Sequence, residues 1–240
     1  MCIRDRPRPV PTSRLRDWLG KLITFWTLIV LVSAIAIGVF ADLGEDVAEH
    51  STTQLDNSVR AWFMSHQNPA VYKLAYTITW IGSPIVMVFI AIAAGVWFYG
   101  QRGRSKAGIM VAAPAVGGLV SGVVKVMFGR VRPAGAALLN EKNFSFPSGH
   151  AATSAAVMVT LCYVLARERM ISWRAAIIIG GTVPLVVGLT RLYLDVHWTT
   201  DVVGGWAVGL LVAALSAGLY EYVRRDAPPG SGSVKNPSGP

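Results

Sequence analysis

Charge is scarce in this chain. Asp, Glu, Lys and Arg make up 15% of its 240 residues, whereas 53% are hydrophobic. Soluble domains carry about a quarter charged residues, so the deficit points to a chain that resides in a membrane. Cysteine is scarcer still. Cys2 and Cys162 alone exclude a disulfide framework and a thiolate metal site, and Cys162, inside an apolar run, reads as a small core residue. No internal repeat is visible. No cluster of carboxylates and histidines at metal-ligand spacing stands out, so no metal or other cofactor is expected.

What the chain does contain is apolar runs. Six of them, 22–41, 83–100, 107–124, 151–166, 175–190 and 202–220, hold no charged residue. Flanking residues extend each towards the ~20 needed to span a bilayer. The expectation is an all-α polytopic membrane protein of six transmembrane helices. The first run is long and lacks a small-residue cleavage site, which reads as a retained anchor. Gly118 with Gly122, and Gly205 with Gly209, are small-xxx-small pairs suited to close helix contact. Pro114 and Pro184 fall mid-span, where neighbouring helices satisfy freed carbonyls.

Three segments follow from this pattern: a cytoplasmic N-terminal segment (1–21), a membrane domain (22–222) and a disordered cytoplasmic tail (223–240). Residues 1–11 read as unstructured, and 227–240, rich in Gly, Ser and Pro, as disordered.

The net charge of +9 would suit a nucleic-acid binder, but the basic residues fall in short clusters between apolar runs. They orient the chain instead. With a cytoplasmic N-terminus, 15 of the 22 Lys and Arg lie inside and seven outside. Both termini are then cytoplasmic, in a cell (plasma or inner) membrane. The seven are Arg60, Lys73, Lys125, Arg130, Arg132, Lys142 and Arg191. Five of them belong to two outer loops, 125–146 and 191–200, and a basic cluster on the disfavoured side fits anion binding. The outer segment 42–82 starts acidic. Its Leu55, Val59, Trp62 and Phe63 share one helical face, which predicts a helix lying at the interface, with a second short helix over 70–81.

Three motifs share the outer side: Lys125-x6-Arg132-Pro133, Pro147-Ser148-Gly149-His150 and Thr190-Arg191-x5-His197-x3-Asp201. Together they suit phosphoryl transfer, in which a protein mainly positions the group and neutralises its charge. Lys125, Arg132 and Arg191 supply positive charge. Ser148 suits a helix N-cap, and Gly149 lets backbone N–H groups approach an anion. His150 and His197 offer the acid and the nucleophile. Asp201, four residues after His197, can fix its tautomer. Arg130 either assists binding or meets lipid headgroups. Asp195 either steadies the His197 loop or has a helix-terminal or solvated role. His50 and His66 read as solvated, and Trp62, Trp80, Trp198 and Trp206 as packing or an interfacial belt.

These motifs resemble the signature of the type 2 phosphatidic acid phosphatase superfamily, which also contains the vanadium haloperoxidases. The pattern is K-x6-R-P, P-S-G-H and S-R-x5-H-x3-D, and the resemblance covers roughly residues 55–222. One departure is visible: Thr190 stands where the family has Ser. The resemblance implies a metal-independent phosphatase acting on a phosphorylated membrane lipid, with no nucleic-acid partner. His197 would form a phosphohistidine oriented by Asp201. His150 would protonate the leaving oxygen and then activate water. Lys125, Arg132, Ser148, Gly149 and Arg191 would hold the phosphate. Isoprenyl diphosphate, phosphatidylglycerol phosphate and phosphatidic acid all suit such a pocket, and the outward site favours undecaprenyl diphosphate. A lipid phosphotransferase and a non-hydrolytic lipid-phosphate binder or transporter are the alternatives. A haloperoxidase is disfavoured by the six apolar spans.

Overall fold

The computed structural model describes residues 12–101 and 103–225, with side chains for 23–101 and 103–224. Among these residues every regular element is a helix, as the apolar runs predict. They are α1 (Thr12–Ala48), α2 (Thr53–Ser65), α3 (Pro69–Ile81), α4 (Pro84–Gly100), α5 (Arg104–Phe128), α6 (Gly149–Arg167), α7 (Trp173–Tyr193) and α8 (Thr199–Arg225). One turn of 3-10 helix, Ala134–Ala137, lies between α5 and α6. Helix α1 reaches back to Thr12 and α8 on to Arg225, so helix extends into both flanking segments. The stretches expected to be unstructured, 1–11 and 227–240, lie outside the described residues.

Five helices, α1, α5, α6, α7 and α8, are each long and apolar enough to cross a membrane. The expected second span, 83–100, is helix α4, preceded by a bend. At 17 residues α4 is short; with α3 it forms a pair bent by 43° that together is long and apolar enough to cross a membrane. Ser83 and Pro84 explain the break. The Ser83 side chain accepts from the Val86 N–H, and Pro84 opens α4 where no intrahelical donor is needed. Asn68 and Pro69 start α3 in the same way.

Helix α6 is central and packs on α8, α7, α5 and α4. Its small residues Ala151, Ala152, Ala155 and Ala156 are buried, and α8 answers with glycine. A Cβ on Gly205 would lie 2.6 Å from the Ser148 carbonyl oxygen, and one on Gly209 would lie 2.5 Å from that of Ala152. The second predicted small-residue pair is therefore a true helix contact. The first is not. Among the described residues, a Cβ on Gly118 or Gly122 would meet nothing within 4 Å, because that face of α5 points away from the bundle.

The Trp206 indole donates to the Pro184 carbonyl at 3.0 Å, tying α8 to the proline-bearing turn of α7. Below Trp206 a cavity of about 640 Å³ opens between α6, α7 and α8, lined by Val159, Ile177, Leu185 and Leu210 among others. At the end of the bundle where α6 finishes, Glu221 of α8 accepts from Tyr163 and Arg167 of α6. Lys106 of α5 meets Glu168 at 2.7 Å there. These contacts fix the registers of α5, α6 and α8 from the end opposite the three motifs.

Helix α2 divides the expected apolar face. Val59 and Phe63 pack against Ala151, Leu192 and Val202, but Leu55 and Trp62 are more than half exposed. The inward face is Asp56, Val59, Arg60 and Phe63. An acidic and a basic residue share the inward face because each finds a partner inside, as the site shows.

Candidate active site

All three motifs meet at one end of the bundle. Helix α5 ends on Gly129, whose left-handed φ of 57° reverses the chain, and sends Arg130 and Arg132 back over the mouth of the bundle. Helix α6 starts at Gly149. Helices α7 and α8 are joined by the short loop that carries His197. The Ser148 N–H donates to the Asp201 carbonyl at 2.8 Å, fastening the second motif to the third. The glycine contacts between α6 and α8 allow that approach.

His197 is 4% exposed. Its Nδ1 lies 3.2 Å from Asp201 Oδ2 and its Nε2 lies 2.9 Å from the Arg132 guanidinium. A guanidinium only donates and a carboxylate only accepts, so these neighbours select the Nδ1–H tautomer and leave the lone pair on Nε2. Burial, then the charges of Arg132, Arg191 and Lys125, push the imidazole well below its usual range. Asp201 Oδ2 also accepts the Trp198 N–H at 2.9 Å, which binds the first turn of α8 to the loop.

The cations converge on the same place. Arg132 donates to the carbonyls of Asn143 at 2.6 Å and Val196 at 2.9 Å. Burial lowers its proton affinity, opposed by Glu141 and Asp201. Lys125 Nζ donates to the Phe144 and Ser145 carbonyls at 2.6 and 3.2 Å. Arg191, 2% exposed, donates to Thr79 Oγ1 at 3.1 Å and to Glu141. Glu141 also lies 3.3 Å from Arg132, so one loop carboxylate bridges the two arginines. His150 stands among these groups and feels the charges of Arg191, His197, Arg132 and Lys125. Among the described residues, the buried Ser148 Oγ and Arg191 Nε have no hydrogen-bond partner. Each is a spare donor for an anion's oxygen.

Several single-residue readings need revision. Ser148 holds the N-cap position of α6, but its hydroxyl makes no cap bond. The Thr190 hydroxyl donates to the Val187 carbonyl at 2.6 Å and serves the helix, not the site. Arg130 is engaged within the protein. It lies between Asp56 and Asp201, at 2.6 and 2.7 Å. Asp195 does steady the loop: it pairs with Arg60 of α2 at 2.6 and 2.8 Å and accepts the Gly135 N–H at 3.0 Å. A Cβ on Gly135 would come within 2.5 Å of Asp195. Trp198 is more than a belt residue. Its indole donates to the Val131 carbonyl at 2.9 Å, and Arg60 and Arg130 lie 5.9 and 5.7 Å from its ring.

Sequence reasoning missed Asp56, Thr79, Glu141 and Thr200. Only Asp56 left a signal, as an acid at helical spacing from the inward Val59 and Phe63.

Residues 106–225 match the PAP2 superfamily. This chain is a PAP2 protein. It is 30% identical over 191 residues to phosphatidylglycerophosphatase B of Bacillus subtilis, covering 78% of this chain and 93% of that one. A more distant relative, the undecaprenyl-diphosphatase BcrC of the same organism, is 23% identical over 158 residues, 63% of this chain and 76% of the relative. Among solved structures, the transmembrane PAP2-type phosphatidylglycerolphosphate phosphatase of Bacillus subtilis superposes with a TM-score of 0.73. It is 28% identical, and the match covers 81% of this chain and 98% of that one. This PAP2 chain is accordingly a multi-pass membrane protein.

Proposed function

We propose that this PAP2 protein is a lipid phosphatase that works through a phosphohistidine on His197. The observation that carries the reading is the His197 imidazole, held by Asp201 at Nδ1 and presenting Nε2 to Arg132. A structural histidine has no need of a lone pair aimed into a cluster of cations. In the first step Nε2 attacks phosphorus while the bond to the lipid oxygen breaks, and His150 protonates the departing oxygen. Lys125, Arg132 and Arg191 neutralise the charge on the non-bridging oxygens, and Ser148 Oγ and the N–H groups opening α6 add donors. Water, activated by His150, then attacks the phosphohistidine and releases phosphate.

For the substrate, we propose a phosphomonoester or diphosphate on a membrane lipid, of the phosphatidylglycerol phosphate or isoprenyl diphosphate class. The names of the two Bacillus relatives support both. The positive-inside bias supports a site on the extracytoplasmic face, with both termini in the cytoplasm.

The test is turnover of purified protein on a panel of lipid phosphates in detergent, in excess EDTA, with rapid acid-free quench of labelled substrate. Phosphate release is expected without added metal, through an acid-labile, base-stable phosphoenzyme that His197→Ala cannot form. Activity that requires Mg²⁺, or persists in His197→Ala, overturns the mechanism. Binding without turnover would instead establish the non-hydrolytic reading.

A further inference from the structure

Behind His197 lies a second layer of charge that reaches outside the family match. Asp56 is the one buried residue of α2, 1% exposed. Its Oδ2 accepts from Arg130 at 2.6 Å and from the Thr200 hydroxyl at 2.8 Å, and its Oδ1 accepts the Thr200 N–H at 3.1 Å. Arg130 uses its other terminal nitrogen on Thr200 Oγ1 and Asp201 Oδ1, both at 2.7 Å. The order of charge is therefore Asp56, Arg130, Asp201, His197. Burying an ion pair is weak evidence for stability, so this one invites a functional account.

Asp201 has two oxygens with different duties. Oδ2 serves His197 and the Trp198 N–H, and Oδ1 serves Arg130. Arg130 stops the carboxylate from rotating, which holds the imidazole at a fixed angle. Left alone, however, its full positive charge would weaken the pull of Asp201 on the Nδ1 proton and make Nε2 a poorer nucleophile. Asp56 on the opposite side of the guanidinium offsets that charge.

We propose that Asp56 and Arg130 are a pair of positioning residues that, through Asp201, set the orientation and nucleophilicity of His197. Helix α2 thus supplies part of the reactive unit. The proposal rests on His197 being the reacting group.

Other charges also act on the imidazole. Lys125 faces it from α5, His150 from α6, Arg191 from α7, and Arg132 with Glu141 from the loop before α6. Arg60 and His50 border Asp56. All are retained in the variants below, so their contribution stays constant.

The test is the pH dependence of kcat/KM for the full chain in detergent, with a nitrophenyl phosphate and a lipid phosphomonoester. Asp56→Asn removes a negative charge and should lower the acidic limb by about one pH unit; Arg130→Gln removes a positive one and should raise it by about as much. The double variant should return the limb close to its original position. Each single variant should lose about tenfold or more in kcat with KM changed less than about threefold, since neither residue touches phosphate. Loss of packing alone would not move the limb in opposite directions. Limbs that stay put, or move together, overturn the proposal, as does a rise in KM with kcat kept. Should Arg130→Gln fail to fold, Asp56→Asn decides by itself: an unmoved limb is fatal. An inactive His197→Ala with unmoved limbs removes this proposal alone, whereas an active one removes the nucleophile and this proposal together.

Discussion

At the residue scale, the proposed mechanism gives the two histidines different work. His197 is enclosed and proton-poor, since burial and three neighbouring cations all oppose the imidazolium. The sign of the consequence is clear. A proton affinity below the usual range keeps Nε2 unprotonated into mild acid, so the acidic limb of kcat/KM belongs below about pH 6.5. The substrate's phosphate ionises in the same region. Two substrates of different phosphate acidity separate the effects, because only the limb common to both belongs to the protein. A common limb above that value would contradict the environment described here. His150 is tested by its leaving group. An alkoxide needs a proton and a nitrophenolate does not, and a placed acid contributes about 10²–10⁴-fold. His150→Ala should therefore slow phosphoenzyme formation far more with a lipid monophosphate than with a nitrophenyl phosphate, read by rapid quench. With the activated ester the variant should accumulate phosphoenzyme. Equal losses would make His150 a phosphate ligand.

At the element scale, the contact between α6 and α8 is what brings the second and third motifs together. Gly205 and Gly209 let the α8 backbone lie against Ser148, Ala152 and Ala155. Gly205→Leu forces these helices apart and should lower the detergent melting temperature, with an overpacking cost of about 1–3 kcal/mol or more. Activity should fall with it, because the Ser148 N–H can no longer reach the Asp201 carbonyl. Gly118→Ala, on an open face of α5, should leave both unchanged. If the two substitutions behave alike, the tight contact is not what seats the motifs. Helix α2 makes a related point. Its amphipathic period was legible, but its inward face was not, because hydrophobicity alone ranks Leu55 and Trp62 above Asp56 and Arg60. The buried partners Arg130, Thr200 and Asp195 reverse that ranking, and they lie 74 to 144 residues away.

For the whole molecule, the positive-inside bias predicts the orientation. Lys142 and Met170 lie at opposite ends of the bundle, in the loops before α6 and before α7. Both side chains are exposed. With Cys162→Ala and Cys2→Ser as background, Lys142→Cys should react with an impermeant thiol reagent in intact cells, and Met170→Cys only after lysis. The reverse would move the site to the cytoplasm and change which lipids reach it.

The sequence by itself determined the helical class, the apolar spans and the three motifs, because hydropathy and motif spacing are local properties written in consecutive residues. Tertiary structure alone decided that α3 and α4 meet at a 43° bend, that Gly118 and Gly122 face outward, and that Glu141 bridges Arg132 and Arg191. It alone showed that Arg130 belongs to Asp56 and Asp201. Each of these depends on which distant group arrives to satisfy a buried charge or fill a groove, and only packing in three dimensions chooses that partner.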